Sequence, residues 1–387
     1  MKLQSKRNYV EKLNLNGTEC VRKHFYSLDA WRSELNNHAV ISEYTHTAPL
    51  CNAYPGITIC DYLAHPHLLD VLEMQEQRGF DEKIWRTFAA WLKNAAQSGL
   101  LPAEGNLRNF LWNENAGEII PVDLEHWQKI PFHESAAAIA AFLMEYYPPD
   151  SAVKRDACAV LCEMWGIGAD AVSRKRSGLK SFRSLEKHPL KVSLILLAGG
   201  KSVRMGKNKA QLDFCGRTLL QHQMETAAML GIDDILISGS IEDTGCSASV
   251  SDELPLRGPL GGIYSCMRRA KHEKCVVLGV DMPFVSAEIL SELVVSHENS
   301  GCEITLAVHN GKFEPLAGVY NTSLAERIGM LIAEKGVSVR CLMEISTVNY
   351  VSFDQNPHMW HNCNTPDTYA ALTNGELTQS ILKNIQS

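Results

Sequence analysis

The chain has 387 residues, is 45% hydrophobic and 21% charged, and carries a formal net charge of −7. This describes an ordinary globular protein, long enough for two or three domains at about 150 residues each. Its acidic balance offers no basic excess to attract nucleic acid. No apolar run approaches the ~20 residues that a membrane helix needs, and the polar, charged stretch Met1 to Asn16 does not read as a signal peptide. A cytoplasmic protein without a membrane partner is expected. Twelve cysteines include no Cys-x-x-Cys pair. The nearest two, Cys158 and Cys162, stand one helical turn apart without a histidine cluster, so free thiols in a reducing compartment are expected in place of zinc.

In the first half, Glu19 to Phe25 alternates enough to form a strand bearing Arg22 and Lys23. Asp29 to Leu35 reads as a helix capped by Asp29, with Trp31 and Leu35 four apart. Pro55 to Leu63 reads as a second strand entering a turn, and Leu68 to Gln77 and Glu82 to Gln97 as amphipathic helices. Glu104-Gly-Asn-Leu-Arg-Asn-Phe-Leu-Trp112 precedes a hairpin turn at Asn115-Ala-Gly117 and a strand from Glu118 to Glu125. An alanine-rich helix follows from Ser135 to Tyr147, closed by Pro148-Pro149. Between Ser173 and Pro189 seven basic residues, His188 included, crowd among serines, and this reads as an exposed basic linker or as a basic contact to a substrate or partner. Domains are therefore expected at 1–172 and 190–387, joined by 173–189.

Asn109 and Asp123, flanking a hairpin, resemble the catalytic segment of the protein-kinase-like phosphotransferases. The resemblance implies a short α+β kinase-like domain with a possible second nucleotide site at Lys23, Glu34, Glu104, Asn109 and Asp123. By it, Lys23 and Glu34 match the lysine and helix glutamate that pair over the phosphates. Tyr62 and Leu63 fall where the adenine is contacted, and Asn109 and Asp123 hold magnesium. Glu104 stands where the family has aspartate, no glycine-rich loop precedes Lys23, and the segment is short for a kinase. The alternative is an accessory domain in which Asn109 and Asp123 cap a turn.

From Leu190 onward strands and helices alternate, the texture of a doubly wound α/β sheet. Strands are expected at Val192 to Leu197, Asp234 to Ser238, Ser249 to Asp252, Cys275 to Val280, Ile304 to Val308 and Leu316 to Tyr320. Helices are expected from Leu219 to Leu230, ended by Gly231, and from Gly258 to Lys271. Ligands of open α/β sheets bind at the carboxyl ends of the strands, and Ala198 to Gly200, Ser238, Asp252 and Asp281 all fall there. The first strand runs into two glycines followed by Lys201, Arg204 and Lys209. Glycine lets backbone N–H groups approach an anion and the cations neutralise it, so this reads as a phosphate loop, although its spacing is not Walker's; the alternative is a turn with solvated lysines. Asp281, closing an apolar strand, is a turn residue or a magnesium ligand.

Leu197-Ala-Gly-Gly-x-Ser-x-Arg-Met-Gly-x-x-Lys209 is similar to the signature loop of the molybdenum cofactor guanylyltransferases. The resemblance implies a Rossmann-like three-layer nucleotidyltransferase domain that transfers GMP from GTP to molybdopterin and releases pyrophosphate. It is supported by Asp281-Met-Pro-Phe, which implies a magnesium ligand at Asp281, and by Asp252 and Gly258-Pro-Leu-Gly-Gly-Ile263. Asn362-Cys-Asn364-Thr-Pro supports it as well. By the resemblance Lys209, Arg204 and Asp281 are catalytic. Leu197, Ala198, Gly199, Gly200, Lys201, Lys209, Ser238, Asp252 and Asp281 bind the nucleotide with Mg2+. Gly261, Gly262, Asn362 and Asn364 line the substrate site, although the two asparagines could equally satisfy backbone. Ser238 stands where the family has asparagine. Gly199, in place of the cytidylyltransferases' second alanine, points to GTP over CTP. Alternatives are a cytidylyltransferase and a non-catalytic regulatory nucleotide-binding protein, with molybdoenzyme apoproteins or other cofactor-synthesis proteins as possible partners.

Overall fold

The structure, a computed structural model, describes residues 2–3, 8–146, 151–173, 175, 190–198, 208–239, 249–253, 258–333, 338–354, 360–363 and 368–370. Nearly all of the expected basic linker lies outside the described residues, as does the expected helix entry at Thr365 and Pro366.

The N-terminal sheet is antiparallel, in the order β1-β2-β3-β5-β4. Its strands are β1 Lys2–Leu3, β2 Tyr9–Leu15, β3 Thr18–His24, β4 Leu50–Tyr54 and β5 Ile57–Asp61. The strand expected from Pro55 to Leu63 is only the return arm of a hairpin. Leu-Cys-Asn-Ala-Tyr shows no alternation, and the turn at Pro55-Gly56 is made possible by Gly56 at φ +78°. The helix Leu28–Ile41 is capped by Ser27, whose hydroxyl accepts from the amides of Asp29 and Ala30. Asp29 is therefore not the cap; it sits in the first turn, where its charge complements the helix dipole.

Helices Leu68–Arg78, Glu82–Ala95, Phe132–Tyr146 and Ala152–Trp165 enclose a second core built on Trp85, Phe88, Phe110, Trp127 and Trp165. Short strands β6 Leu101–Pro102 and β9 Trp127–Gln128 pair, as do β7 Phe110–Asn113 and β8 Glu118–Pro121 around the expected turn. Sequence patterning hides Ala152–Trp165, because Lys154 lies on its buried face. The ammonium of Lys154 donates to the Met144 carbonyl at 3.4 Å. Cys158 and Cys162 share this helix with their sulfurs 3.9 Å apart, and the eleven cysteines among the described residues are all free thiols.

The second half forms a seven-stranded sheet in the order β14-β13-β10-β15-β17-β16-β18. Its members are β10 Ser193–Leu197, β13 Asp234–Ser238, β14 Ser249–Val250, β15 Lys274–Gly279, β16 Ile304–His309, β17 Lys312–Asn321 and β18 Val348–Ser352. A two-stranded hairpin, β11 Asp213–Phe214 and β12 Arg217–Thr218, lies outside it. The four strands β14, β13, β10 and β15 run parallel, and β17 is antiparallel to β15 and β16. Side chains alternate between faces with a period of two. Leu194, Leu196, Val276 and Leu278 therefore face helices Leu219–Leu230 and Ala287–Ser300. Ile195, Leu197, Cys275 and Val277 face helices Gly258–Met267, Leu324–Ala333 and Val339–Glu344. This is a three-layer α/β sandwich. The helix Leu219–Leu230 carries a reciprocal capping box of Thr218 and Gln221 and ends at Gly231 in the left-handed region.

The two sheets share one core. Cys20, Phe25, Trp31, Tyr54 and Ile57 of the first half cluster with Phe214, Leu219, Met282 and Phe284 of the second. Each such ring or aliphatic chain contributes roughly 1.5–3 kcal/mol when fully buried. Among the described residues no helix is long and apolar enough to cross a membrane.

Gly105, just before the hairpin, passes so close to helix Phe132–Tyr146 that a Cβ there would stand 2.1 Å from the Ala138 carbonyl oxygen. Backbone cannot yield as a side chain does. Gly105→Ala should cost about 1–3 kcal/mol or more and lower the unfolding midpoint followed by tryptophan fluorescence. An unchanged midpoint would show that the helix moves aside freely.

Candidate active site

Four strand ends lie side by side. Leu197 of β10 pairs with Ser238 of β13 on one side and Gly279 of β15 on the other, and Val250 of β14 pairs with Ser238. The residues leaving this row are Ala198, Asp252 and Asp281, so residues far apart in sequence emerge on one edge. Neighbouring strands are about 4.8 Å apart, and the amide of Val280 donates to the Leu197 carbonyl at 3.2 Å, so the exits of β10 and β15 stay together.

Lys209 reaches the same place from a short 3-10 turn, Lys209–Gln211, which Asn208 caps by accepting from the Ala210 amide. Its ammonium donates to Asp281 Oδ2 at 3.1 Å, and both side chains remain partly open to solvent. An ammonium and a carboxylate at a strand-end rim can jointly neutralise a polyphosphate and its counter-ion. The Asp281 carboxylate offers the hard oxygen donor that Mg2+ prefers, with room for phosphate and water in the shell, whereas Asp252 leaves the far strand of the row, three strand spacings from β15.

The C-terminal asparagine segment joins from behind. The amide of Cys363 donates to the Asp281 carbonyl at 2.9 Å. Cys363 is fully buried, and burial, reinforced by Asp281, pushes its thiol up to about 12. Beside it, Asn362 Oδ1 is buried with no hydrogen-bond partner among the described residues. Such an atom costs free energy unless a ligand or water satisfies it. Asn362 thus meets the Asp281 region; its neighbour Asn364 lies outside the described residues.

At the other end of the row, Ser238 donates to Asp252 Oδ1 at 3.2 Å. Gly262 packs against this serine: a Cβ there would meet Ser238 Oγ at 2.1 Å and Leu197 Cδ2 at 3.2 Å. Close packing thus accounts for Gly262. Its neighbour Gly261 is buried, and its carbonyl accepts from Ser265 Oγ at 2.9 Å. Gly199, Gly200, Lys201 and Arg204 lie outside the described residues.

The N-terminal candidates form a second cluster. The ammonium of Lys23 on β3 donates to Glu34 Oε2 at 3.3 Å, contacts the Asp123 carboxylate and lies 3.5 Å from Glu125 Oε2. Three acids around one base keep Lys23 charged despite burial and push its pKa upward. Burial, with Asp123 and Glu125 opposing the Lys23 charge, raises Glu34 to about 7. Glu125 is buried too, yet His126, Lys23 and Asn8 hold it down to about 2. Sequence reading missed Glu125, which is recognisable only once Asp123 adopts φ 62°, ψ 61° and turns the chain. A left-handed non-glycine residue costs roughly 1–2 kcal/mol, and such strain gathers at working sites. Asn109 reaches the cluster through its backbone, its carbonyl accepting from the Val122 amide at 2.8 Å. Glu104 stands exposed and its charge acts on His126. Tyr62 lies under the Lys12 ammonium, 3.7 Å from its ring centre.

Residues 194–349 match the family model described as the MobA-like NTP transferase domain, and residues 1–193 lie outside it. A protein of Flavobacterium johnsoniae named "Probable molybdenum cofactor guanylyltransferase" is 31% identical over 135 residues, covering 34% of this chain and 70% of the relative. A protein of Xanthomonas euvesicatoria named "Molybdenum cofactor guanylyltransferase" is 29% identical over 182 residues, 46% of this chain and 92% of the relative. The crystal structure of molybdopterin-guanine dinucleotide biosynthesis protein A from Archaeoglobus fulgidus is similar at 26% identity and a TM-score of 0.41, covering 49% of this chain and all of that one.

Gly279 was not among the residues singled out from sequence, yet it decides where the Asp281 carboxylate points. A Cβ on Gly279 would stand 2.8 Å from Asp281 Oδ1. Gly279→Ala should turn the carboxylate aside and weaken divalent-metal binding about tenfold while the unfolding midpoint moves little. Metal titration by calorimetry in the presence of nucleotide tests this; unchanged affinity would refute it.

Proposed function

The chain belongs, through residues 194–349, to the MobA-like NTP transferase family, and on that premise we propose that it transfers GMP from GTP to molybdopterin cofactor. The products are the molybdenum guanine dinucleotide cofactor and pyrophosphate. That the chain is a nucleotidyltransferase follows from the family. The guanine and molybdopterin specificities rest on the names of its relatives and on the loop around Gly199.

The observation that carries the mechanism is the Lys209–Asp281 contact at the common rim of β10 and β15. Nucleotidyl transfer is an in-line attack of a phosphate oxygen on the α-phosphorus of GTP, with pyrophosphate leaving. The nucleophile is already an anion, so no general base is needed; the protein orients two anions and offsets their charge. Lys209, with Lys201 and Arg204 from the same loop, neutralises the triphosphate and the departing pyrophosphate. Asp281 would hold Mg2+, which supplies charge neutralisation across the phosphates when bound. In this reading Ser238 and Asp252, tied together, would contact the nucleoside, and Asn362, whose Oδ1 has no partner among the described residues, would contact the acceptor.

Incubation of the purified protein with each of the four NTPs, Mg2+ and molybdopterin, followed by pyrophosphate release, tests the assignment. GTP should support release. CTP supporting it and GTP not would establish a cytidylyltransferase, and no release with any NTP would favour a regulatory binder. Lys209→Ala and Asp281→Ala should each lower kcat by about 10²–10³-fold or more with the unfolding midpoint retained. Near-normal rates in both would remove the mechanism.

The buried Lys23–Glu34 pair beside left-handed Asp123 favours a second reading for the N-terminal half, a nucleoside triphosphate site in the manner of the kinase-like phosphotransferases. ATP should then bind the full chain at a site that excess GTP does not empty, and Lys23→Ala should abolish that binding. Equal ATP affinity in the variant, by equilibrium dialysis, would reduce the cluster to a buried ion network.

A further inference from the structure

β3 presents a buried cation on each of its two faces. Lys23 faces Glu34 and Asp123, while Arg22 and His24 face the helix Leu219–Leu230 of the other half. Arg22 is fully buried; its Nη1 donates to Glu225 Oε2 at 2.7 Å, and its Nη2 lies 3.1 Å from His222 Nδ1. His24 stacks on His222 with ring centres 4.1 Å apart and meets Glu225 Oε2 through Nδ1 at 3.1 Å. His24, His222 and Glu225 could together ligate a cation. The guanidinium of Arg22 bonds two of those three residues, so His222 Nδ1 and the Glu225 carboxylate are already engaged.

The chain of bonds continues to the candidate active site. A guanidinium only donates, so His222 Nδ1 accepts and the ring proton sits on Nε2. Nε2 then donates to the Pro283 carbonyl at 2.6 Å. The next residue, Gln223, donates from Nε2 to the Met282 carbonyl at 2.9 Å, leaving its Oε1 without a partner among the described residues. Both accepting carbonyls belong to the two residues that directly follow Asp281. The segment is enclosed further on: Phe284 packs edge-on to Phe214, which packs edge-on to His222, and the Glu288 amide donates to the Tyr26 carbonyl of the first half at 3.0 Å. Met282, Phe284 and Val285 are buried.

We propose that His222 and Gln223, with Arg22 acting through them, are positioning residues for the Asp281 carboxylate, so that the N-terminal sheet is a working part of the nucleotidyl-transfer site. The proposal rests on the reading of Asp281 as the metal ligand. It gives the N-terminal half a role that requires no turnover of its own: a buried guanidinium orders the helix, and the helix fixes two carbonyls next to the metal-binding carboxylate.

The test uses the full chain and Mn2+ as the probe, followed by the EPR signal of the free ion, with GTP present and acceptor absent. Gln223→Leu removes one donor to the Met282 carbonyl and leaves the junction intact. The double variant Arg22→Met/Glu225→Met replaces the ion pair by apolar groups of similar size, an exchange that buried pairs tolerate. Both should raise the Mn2+ dissociation constant about tenfold, with metal-free GTP binding within about twofold of the parent protein and the unfolding midpoint retained. Should the double variant not fold, Gln223→Leu decides alone. Parent-like Mn2+ affinity in the folded variants overturns the inference and leaves the reading of Asp281 standing. Parent-like affinity in Asp281→Ala overturns both.

Discussion

A guanidinium with no access to water fixes how the two halves of this molecule meet. Arg22 sits between Glu225 and Glu11, at 2.7 and 3.6 Å, and Arg217 closes the group by pairing with Glu11. Burying charge is costly, and only partners with good geometry offset the desolvation. Two arginines and two glutamates therefore require each other, and they lie on elements from both halves. Apolar packing alone would let one sheet slide over the other; a buried ionic network of this kind accepts one arrangement. The imidazoles inside it follow the same logic. Burial, with Arg22 beside both, holds His24 and His222 well below the ordinary histidine range, so each is neutral and each has a defined proton.

Because that arrangement is unique, the strand ends of the second half meet a fixed neighbour. The segment after Asp281 has the Leu219–Leu230 helix on one side and the first sheet beyond it, whereas the carboxylate itself faces the partly open rim with Lys209. A rigid back and a solvent-accessible front suit a site that must grip phosphates without reorganising during the reaction. Gly279 and Gly262 serve the same end by absence: each leaves space that a methyl group would take from Asp281 or Ser238.

Much of this was readable along the chain. β13 matches its expected bounds of Asp234 to Ser238, and β10, β15 and β16 lie within a residue of theirs, because short, largely apolar runs bounded by turns leave little ambiguity. The pairing of Lys23 with Glu34 was legible only through resemblance, since nothing in their spacing of eleven residues announces a contact. β2, β18 and the helices Ala287–Ser300, Leu324–Ala333 and Val339–Glu344 were not anticipated, and three further misses are instructive: β4, whose residues do not alternate; the Ala152–Trp165 helix, whose buried face carries a lysine; and Ser27, which caps a helix that Asp29 was expected to cap. In each, a tertiary partner or a local hydrogen bond overrides the simple pattern.

By itself the sequence determined the strands β10, β13 and β15 of the second half, and it put forward the Leu197–Lys209 stretch and Asp281 as candidates, since these depend on local periodicity and on residue type. Only the tertiary structure decided that Asp281 and Lys209 touch, that Ser238 serves Asp252, that Glu125 completes the Lys23 cluster, and that Arg22 and Glu225, 203 residues apart, form the junction. The physical reason is that a contact between distant residues is set by which faces the folded sheets present to each other. That choice is made by the sum of buried area and paired charge over the whole molecule, and no window of neighbouring residues contains it.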